Sequence, residues 1–322
     1  WARIALKLLA VARRRHLYET LPGARTHEIT GVPTISDVTA SGIVVVLLTT
    51  VGYFGFFVRD LMLVKMYGME GLLDGYCSAV LIPMFLAGVL LMPLADAMMA
   101  PLIHAGNNGG TGGIATFVRS IMTFAFTVAI VATVGLILVA DRVALLFAPN
   151  GTIEQLDDMI VMVRWFSLVL VLGVWTVVGN GVLNAMHRPL AAATAHLFVP
   201  VVAIAFIMMF TETMGLRAAI LGMIVGTLAN AVFLTYFNYS GKVKLAPDFS
   251  GKLCDMSLIR NFALLALAAL LAGITIPMNY AFAARLEPGA VTVWALGGKL
   301  VQLFTSLTVV AAAAVLTPHF GR

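Results

Sequence analysis

The sequence predicts an all-α integral membrane protein, a polytopic bundle of about eight transmembrane helices. Of its 322 residues, 61% are hydrophobic and 11% charged, where a soluble domain carries about 25% charge. Apolar runs of roughly twenty residues or more recur along the chain, each long enough to cross a hydrocarbon core of about 30 Å at about 1.5 Å per residue. Lys and Arg gather in alternate connections between those runs. Together these observations exclude a soluble fold.

Residues 1–39 differ from the rest. Arg3, Lys7, Arg13, Arg14 and Arg15 alternate with Ile4, Leu8, Leu9 and Val11, the pattern of a basic amphipathic helix on a membrane surface. Its continuation, with Pro22, Gly23, Gly31 and Pro33, reads as a linker. Helices follow near 41–66, 74–104, 114–140, 158–187, 190–211, 216–237, 258–285 and 290–318, separated by turn formers or charge, as at Gly106–Gly113 and Glu287–Gly289. The expected organisation is a basic segment (1–39), an amino-terminal six-helix lobe (40–240) and the first two helices of a second lobe (241–322). Trp1 in place of Met, and an end close behind a hydrophobic run, predict a piece of a longer protein.

Orientation follows from the cations. With the amino terminus in the cytoplasm, the connections on that side hold 12 of the 20 Lys and Arg: six before residue 40, then Arg188, Lys242, Lys244, Lys252, Arg260 and Arg322. The opposite connections hold Arg142, Arg217 and Arg285 beside acidic residues such as Asp141, Asp158, Glu212 and Glu287.

Several charges fall inside the apolar runs, where a centred one costs about 2.5–3.5 kcal/mol. Arg59 is followed by Asp60 and shares a helix face with Gly52 and Gly55, which suits either a cation at an aqueous cavity or a local ion pair. Lys299 lies deep in its run, and Lys299, Gln302 and Ser306 form a polar stripe that predicts a cavity wall. Thr176, Asn180 and Asn184 make a similar face on the fourth helix. Arg119 and Arg164 sit near helix ends as interfacial anchors. Asp74 reads as a helix-start cap, and Asp96 as a coupling site or the partner of a cation.

The glycine loop at Gly106–Gly113 lacks the Gly-Lys-Ser/Thr ending of a phosphate loop, and no HExxH, CxxC or GxSxG motif occurs. Cys77 and Cys254 have no metal-like spacing. The expectation is a protein that is not an enzyme, with no cofactor, metal or nucleic acid.

Four segments in order then point to a family. Phe56–Asp60 (FxxRD) with Tyr67, Gly68, Asp74, Pro83 and Pro101, then Gly179–Pro189 (GNGVLNAMHRP), Leu286–Leu300 (LEPGAVTVWALGGKL) and Val315–Arg322 together resemble the MurJ (MviN) flippases of the multidrug/oligosaccharidyl-lipid/polysaccharide exporter superfamily. The resemblance implies two lobes around a cationic cavity that binds a polyprenyl-pyrophosphate-linked glycan. It places Arg59 and Lys299 on cavity cations, and Asp60 and Asp74 on acidic positions of the pattern. Tyr53 and Ala87 stand where the family carries two further arginines, and Lys299 where it carries another.

The expected function is therefore a flippase of the bacterial inner membrane, moving a lipid II-like or exopolysaccharide precursor in peptidoglycan synthesis or polysaccharide export. Its substrate-binding residues are Arg59, Lys299, Gln302, Ser306 and Asn180, with Asp60, Asp74 and Asp96 as coupling or ion-pair groups. Its partners are the lipid-linked glycan, membrane lipids and cell-envelope biosynthesis proteins. The alternatives are a non-transporting scaffold subunit with a flippase fold and a cation-coupled small-molecule exporter.

Overall fold

A computed structural model describes residues 35–68, 71–149, 151–186, 188–249, 255–302 and 304–305, with side chains from residue 44 onward. Most of the expected basic segment at 1–39, together with Ser306, lies outside the described residues. By packing, Trp1–Ala40 and Ser41–Arg322 are separate units, and the second holds the membrane-spanning helices.

The described residues form helices and the connections between them, with no strand. In order the helices are α1 (Ile35–Tyr67), α2 (Gly71–Phe147), α3 (Ile153–Phe166), α4 (Leu168–Ala185), α5 (Pro189–Ala195), α6 (Phe198–Met214), α7 (Arg217–Ser240), α8 (Met256–Gly273), α9 (Thr275–Ala283) and α10 (290–302). Among the described residues, six stretches are long and apolar enough to cross a membrane: Val44–Tyr67, Gly71–Phe147, Ile153–Ala185, Pro189–Met214, Arg217–Ser240 and Met256–Ala283.

The second stretch has 77 residues, about 115 Å if straight, and it does not run straight. Gly110 takes φ 56 and ψ −145, a conformation essentially restricted to glycine. A Cβ on Gly106 would meet the Ile114 side chain at 3.3 Å, although eight residues of continuous helix would separate them by about 12 Å. The helix therefore folds back into two crossings. The sequence predicts a loop over Gly106–Gly113; the structure confines the reversal to Gly110, with helical assignment on both sides. This makes seven crossings, and α10 begins the eighth, in accord with the expected bundle.

Three crossings are broken in the middle, which the apolar pattern does not predict. Pro200 lacks the N–H that would bond the carbonyl of residue 196, and the chain steps at His196–Leu197 between α5 and α6. Pro277 does the same at Ile274, between α8 and α9. At Ser167, between α3 and α4, the hydroxyl bonds the Arg164 carbonyl at 2.7 Å. The Ser167 carbonyl accepts from the Leu170 N–H at 3.0 Å and also from Thr133 Oγ1 of a neighbouring helix at 3.2 Å, so it stays satisfied in apolar surroundings.

Packing uses small residues where backbones meet. On α7, a Cβ on Gly222 would lie 2.9 Å from the Ala203 Cα of α6, and one on Gly226 would lie 2.9 Å from the Val199 backbone, a small-xxx-small contact. The outer surface is apolar: Leu138 is 76% exposed and Met208 72%, which suits lipid as solvent. At one end of the bundle Arg164 pairs with Asp141 and Arg217 with Asp158, so Arg164 acts as an inter-helix link. Beyond α7 the chain is extended, with Val243 and Leu245 buried and Lys242 and Lys244 exposed. The Leu245 carbonyl accepts from Trp175 Nε1 at 3.3 Å.

Candidate functional site

α1, α2, α8, α9 and α10, with Met223 of α7, line an open cavity of about 1640 Å³. Arg59 and Asp60 reach its wall from α1, and Lys299 and Gln302 from α10. Gly55 lets α1 approach α6 closely, since a Cβ there would lie 3.0 Å from Pro200.

Asp60 is the centre of the site. Its Oδ1 accepts from Arg59 Nη2 at 2.5 Å and from Arg59 Nε at 3.0 Å. Its Oδ2 accepts from Lys299 Nζ at 2.5 Å. Arg59 is 3% exposed and Asp60 4%, whereas the Lys299 side chain is 36% exposed. The Arg59 guanidinium also donates from Nη1 to Met223 Sδ of α7 at 2.7 Å and lies 5.4 Å from the Phe56 ring centre, a cation–π contact. One carboxylate thus offsets two cations, each of which would be costly alone in this setting.

Asp74 plays a different part from the one expected. It lies in the first turn of α2, but its carboxylate caps α10. Oδ2 accepts from the Gly289 N–H at 2.7 Å, and Oδ1 from the Thr292 N–H at 2.8 Å and Thr292 Oγ1 at 2.6 Å. These are the open amides of a helix start, where negative charge is favoured. No ion pair to Asp74 occurs among the described residues.

The structure separates other residues that the sequence groups together. Asn180 is partly buried, its Oδ1 has no hydrogen-bond partner among the described residues, and it is not among the described residues that line the cavity. Of its polar stripe, Thr176 is partly buried as well, whereas Asn184 is exposed. Asp96 is exposed, and no ion pair to it occurs among the described residues. Tyr53 lines the cavity, whereas Ala87 packs between helices and its neighbour Gly88 faces the cavity. Sequence reasoning missed Met223, Trp294 and Thr292. Met223 lies 164 positions from Arg59, and no local pattern marks it.

The bundle and its charged cavity define the class of the protein: a multi-pass membrane protein with the fold of MOP-superfamily transporters. A MOP superfamily transporter from Pyrococcus furiosus Vc1 (DSM3638) matches with TM-score 0.65 and 12% identity over 86% of this chain and 63% of that one. Lipid II flippase MurJ in an inward closed conformation matches with TM-score 0.63 and 14% identity over 81% and 55%. An inward-facing multidrug resistance MATE family transporter matches with TM-score 0.60 and 15% identity over 81% and 64%. The family model for lipid II flippase MurJ matches residues 63–322, and the chain belongs to that family. No curated protein matches by sequence. The chain spans less than two thirds of the length of these three structures. Arg59 and Asp60 lie just before the family match; Asp74, Lys299 and Gln302 lie within it.

Proposed function

We propose that this chain is the larger part of a flippase that carries a polyprenyl-pyrophosphate-linked glycan across the bacterial inner membrane by alternating access. The observation that carries the reading is Asp60 shared between Arg59 of α1 and Lys299 of α10. A diphosphate entering the cavity offers oxygens that compete with Asp60 for both cations, so binding and the junction between α1 and α10 are coupled. α8–α10 would open a second lobe, and the Asp74 cap on α10 would hold the two lobes together at one end of the cavity. Gln302 extends the polar wall toward the sugar; Ser306 lies outside the described residues. Asn180 is left out of the binding set. The positive-inside pattern favours a cytoplasmic amino terminus.

The test is flipping of lipid II or an exopolysaccharide precursor by the full-length protein in vesicles. Arg59→Ala with Lys299→Ala is expected to abolish it; unchanged flipping would sink the proposal. A second reading, a cation-coupled small-molecule exporter, is favoured by the likeness to MATE transporters and by the exposure of Asp96. Organic-cation transport driven by a proton gradient and lost in Asp96→Asn would establish it instead.

A further inference from the structure

We infer that Met223 aims Arg59 at the substrate phosphate, a positioning residue that α7 supplies to the charged site of α1. This inference rests on the flippase reading. Arg59 Nη1 donates to Met223 Sδ at 2.7 Å, while Nη2 and Nε of the same guanidinium donate to Asp60 Oδ1 at 2.5 and 3.0 Å. Both bonds to Asp60 end on one oxygen, about which the guanidinium could pivot; a second acceptor on another helix removes that freedom. Tyr76 of α2 donates its hydroxyl to the same sulfur at 3.8 Å. A thioether is a weak and neutral acceptor, so it orients the cation without cancelling its charge, as a second carboxylate would. Arg59, Met223, Tyr76 and Phe56 all line the cavity, and the aimed cation is thus part of the wall that meets the ligand.

The sulfur is itself held in place. Gly222, the residue before Met223, brings α7 onto α6 at Ala203, and Gly226, one turn on, does the same at Val199. α6 in turn meets α1 through Pro200 at Gly55, one turn before Arg59. These three glycine contacts set the spacing of α1 and α7 at which sulfur and guanidinium meet. The Met223 carbonyl accepts from Thr227 Oγ1 at 2.8 Å, and the side chain is buried. If Met223 only filled space, Leu would replace it well, being of similar volume, and a buried Gln would be costly. If its part is to accept from Arg59, Gln replaces it, with an amide oxygen at similar reach, and Leu does not. The two roles order the same substitutions oppositely.

The experiment is a titration of the full-length protein with undecaprenyl pyrophosphate, read by native mass spectrometry. It compares wild type, Met223→Leu, Met223→Gln, Arg59→Lys and Arg59→Lys combined with Met223→Leu. Met223→Leu is expected to weaken binding about fivefold, through loss of one hydrogen bond from a charged donor, and Met223→Gln to stay within about twofold of wild type. In the Arg59→Lys background, which has no planar fork to orient, Met223→Leu should change binding by less than about twofold. Wild-type binding by Met223→Leu, weaker binding by Met223→Gln than by Met223→Leu, or the same Met223→Leu loss in both backgrounds overturns the inference while leaving the flippase reading intact. A Met223→Leu protein that does not fold also overturns it, because packing then accounts for the residue. Failure of wild type to retain the lipid overturns both.

Discussion

Asp60 and Lys299, 239 positions apart in sequence, meet through a 2.5 Å hydrogen bond across the cavity. The two partners are unequal, because Asp60 is buried and also holds Arg59, whereas Lys299 is partly open to the cavity. Removing Asp60 leaves the Arg59 guanidinium buried with Met223 and the Phe56 ring in place of a carboxylate. Asp60→Ala is expected to destabilise the protein by about 3–5 kcal/mol, and Lys299→Ala by about 1 kcal/mol or less. Thermal unfolding of the purified protein measures both; equal losses would contradict the asymmetry.

The Asp74 cap should govern the start of α10. Asp74→Ala removes three hydrogen bonds to Gly289 and Thr292, and a lost cap costs about 0.5–2 kcal/mol. Amide hydrogen exchange at those two residues should rise while exchange in α7 stays as it was. No change at Gly289 and Thr292 would show that the cap carries no weight.

The hairpin in α2 turns on glycine. Gly110→Ala places a side chain at φ 56 and ψ −145 and should cost about 1–3 kcal/mol. At Gly113 a Cβ would collide with the Ala105 carbonyl oxygen, so Gly113→Ala should also destabilise, whereas Gly109→Ala, with open space beside it, should be nearly neutral. Unfolding midpoints of the three variants decide this order.

α6 and α7 meet backbone to backbone at Gly222 and Gly226. Gly226→Val is expected to force them apart and to cost about 1–3 kcal/mol as overpacking. Gly75→Val, with nothing within 4 Å, is its control. A stable Gly226→Val protein that keeps the wild-type unfolding midpoint would refute the close contact.

The bundle was legible because each crossing must bury its own backbone hydrogen bonds, and that demand shows as a run of apolar residues. Helix interruptions were less so. Pro200 and Pro277 sit inside apolar runs whose length alone reads as unbroken helix, and the Gly106–Gly113 loop shrank to a turn at one residue. In the site, Arg59, Asp60, Lys299 and Gln302 could be named from charge and stripe. Asn180 belongs to an equally good stripe that lies off the described cavity, and Ala87 lies one position, about 100° around the helix, from the cavity-facing Gly88. Asp74 was read by a local rule, yet the amides it caps come from α10.

Residue order and composition were thus enough to place the chain in a bilayer, to count its crossings and to mark which charges need company. Those are properties of one helix and the lipid around it. The packing of helices against one another was needed to show that Asp60 joins Arg59 to Lys299, that Asp74 caps α10, and that Trp294 and Tyr53 line the cavity. Such pairings depend on which helix faces lie against each other, and a helix's own pattern shows a polar face without naming its neighbour.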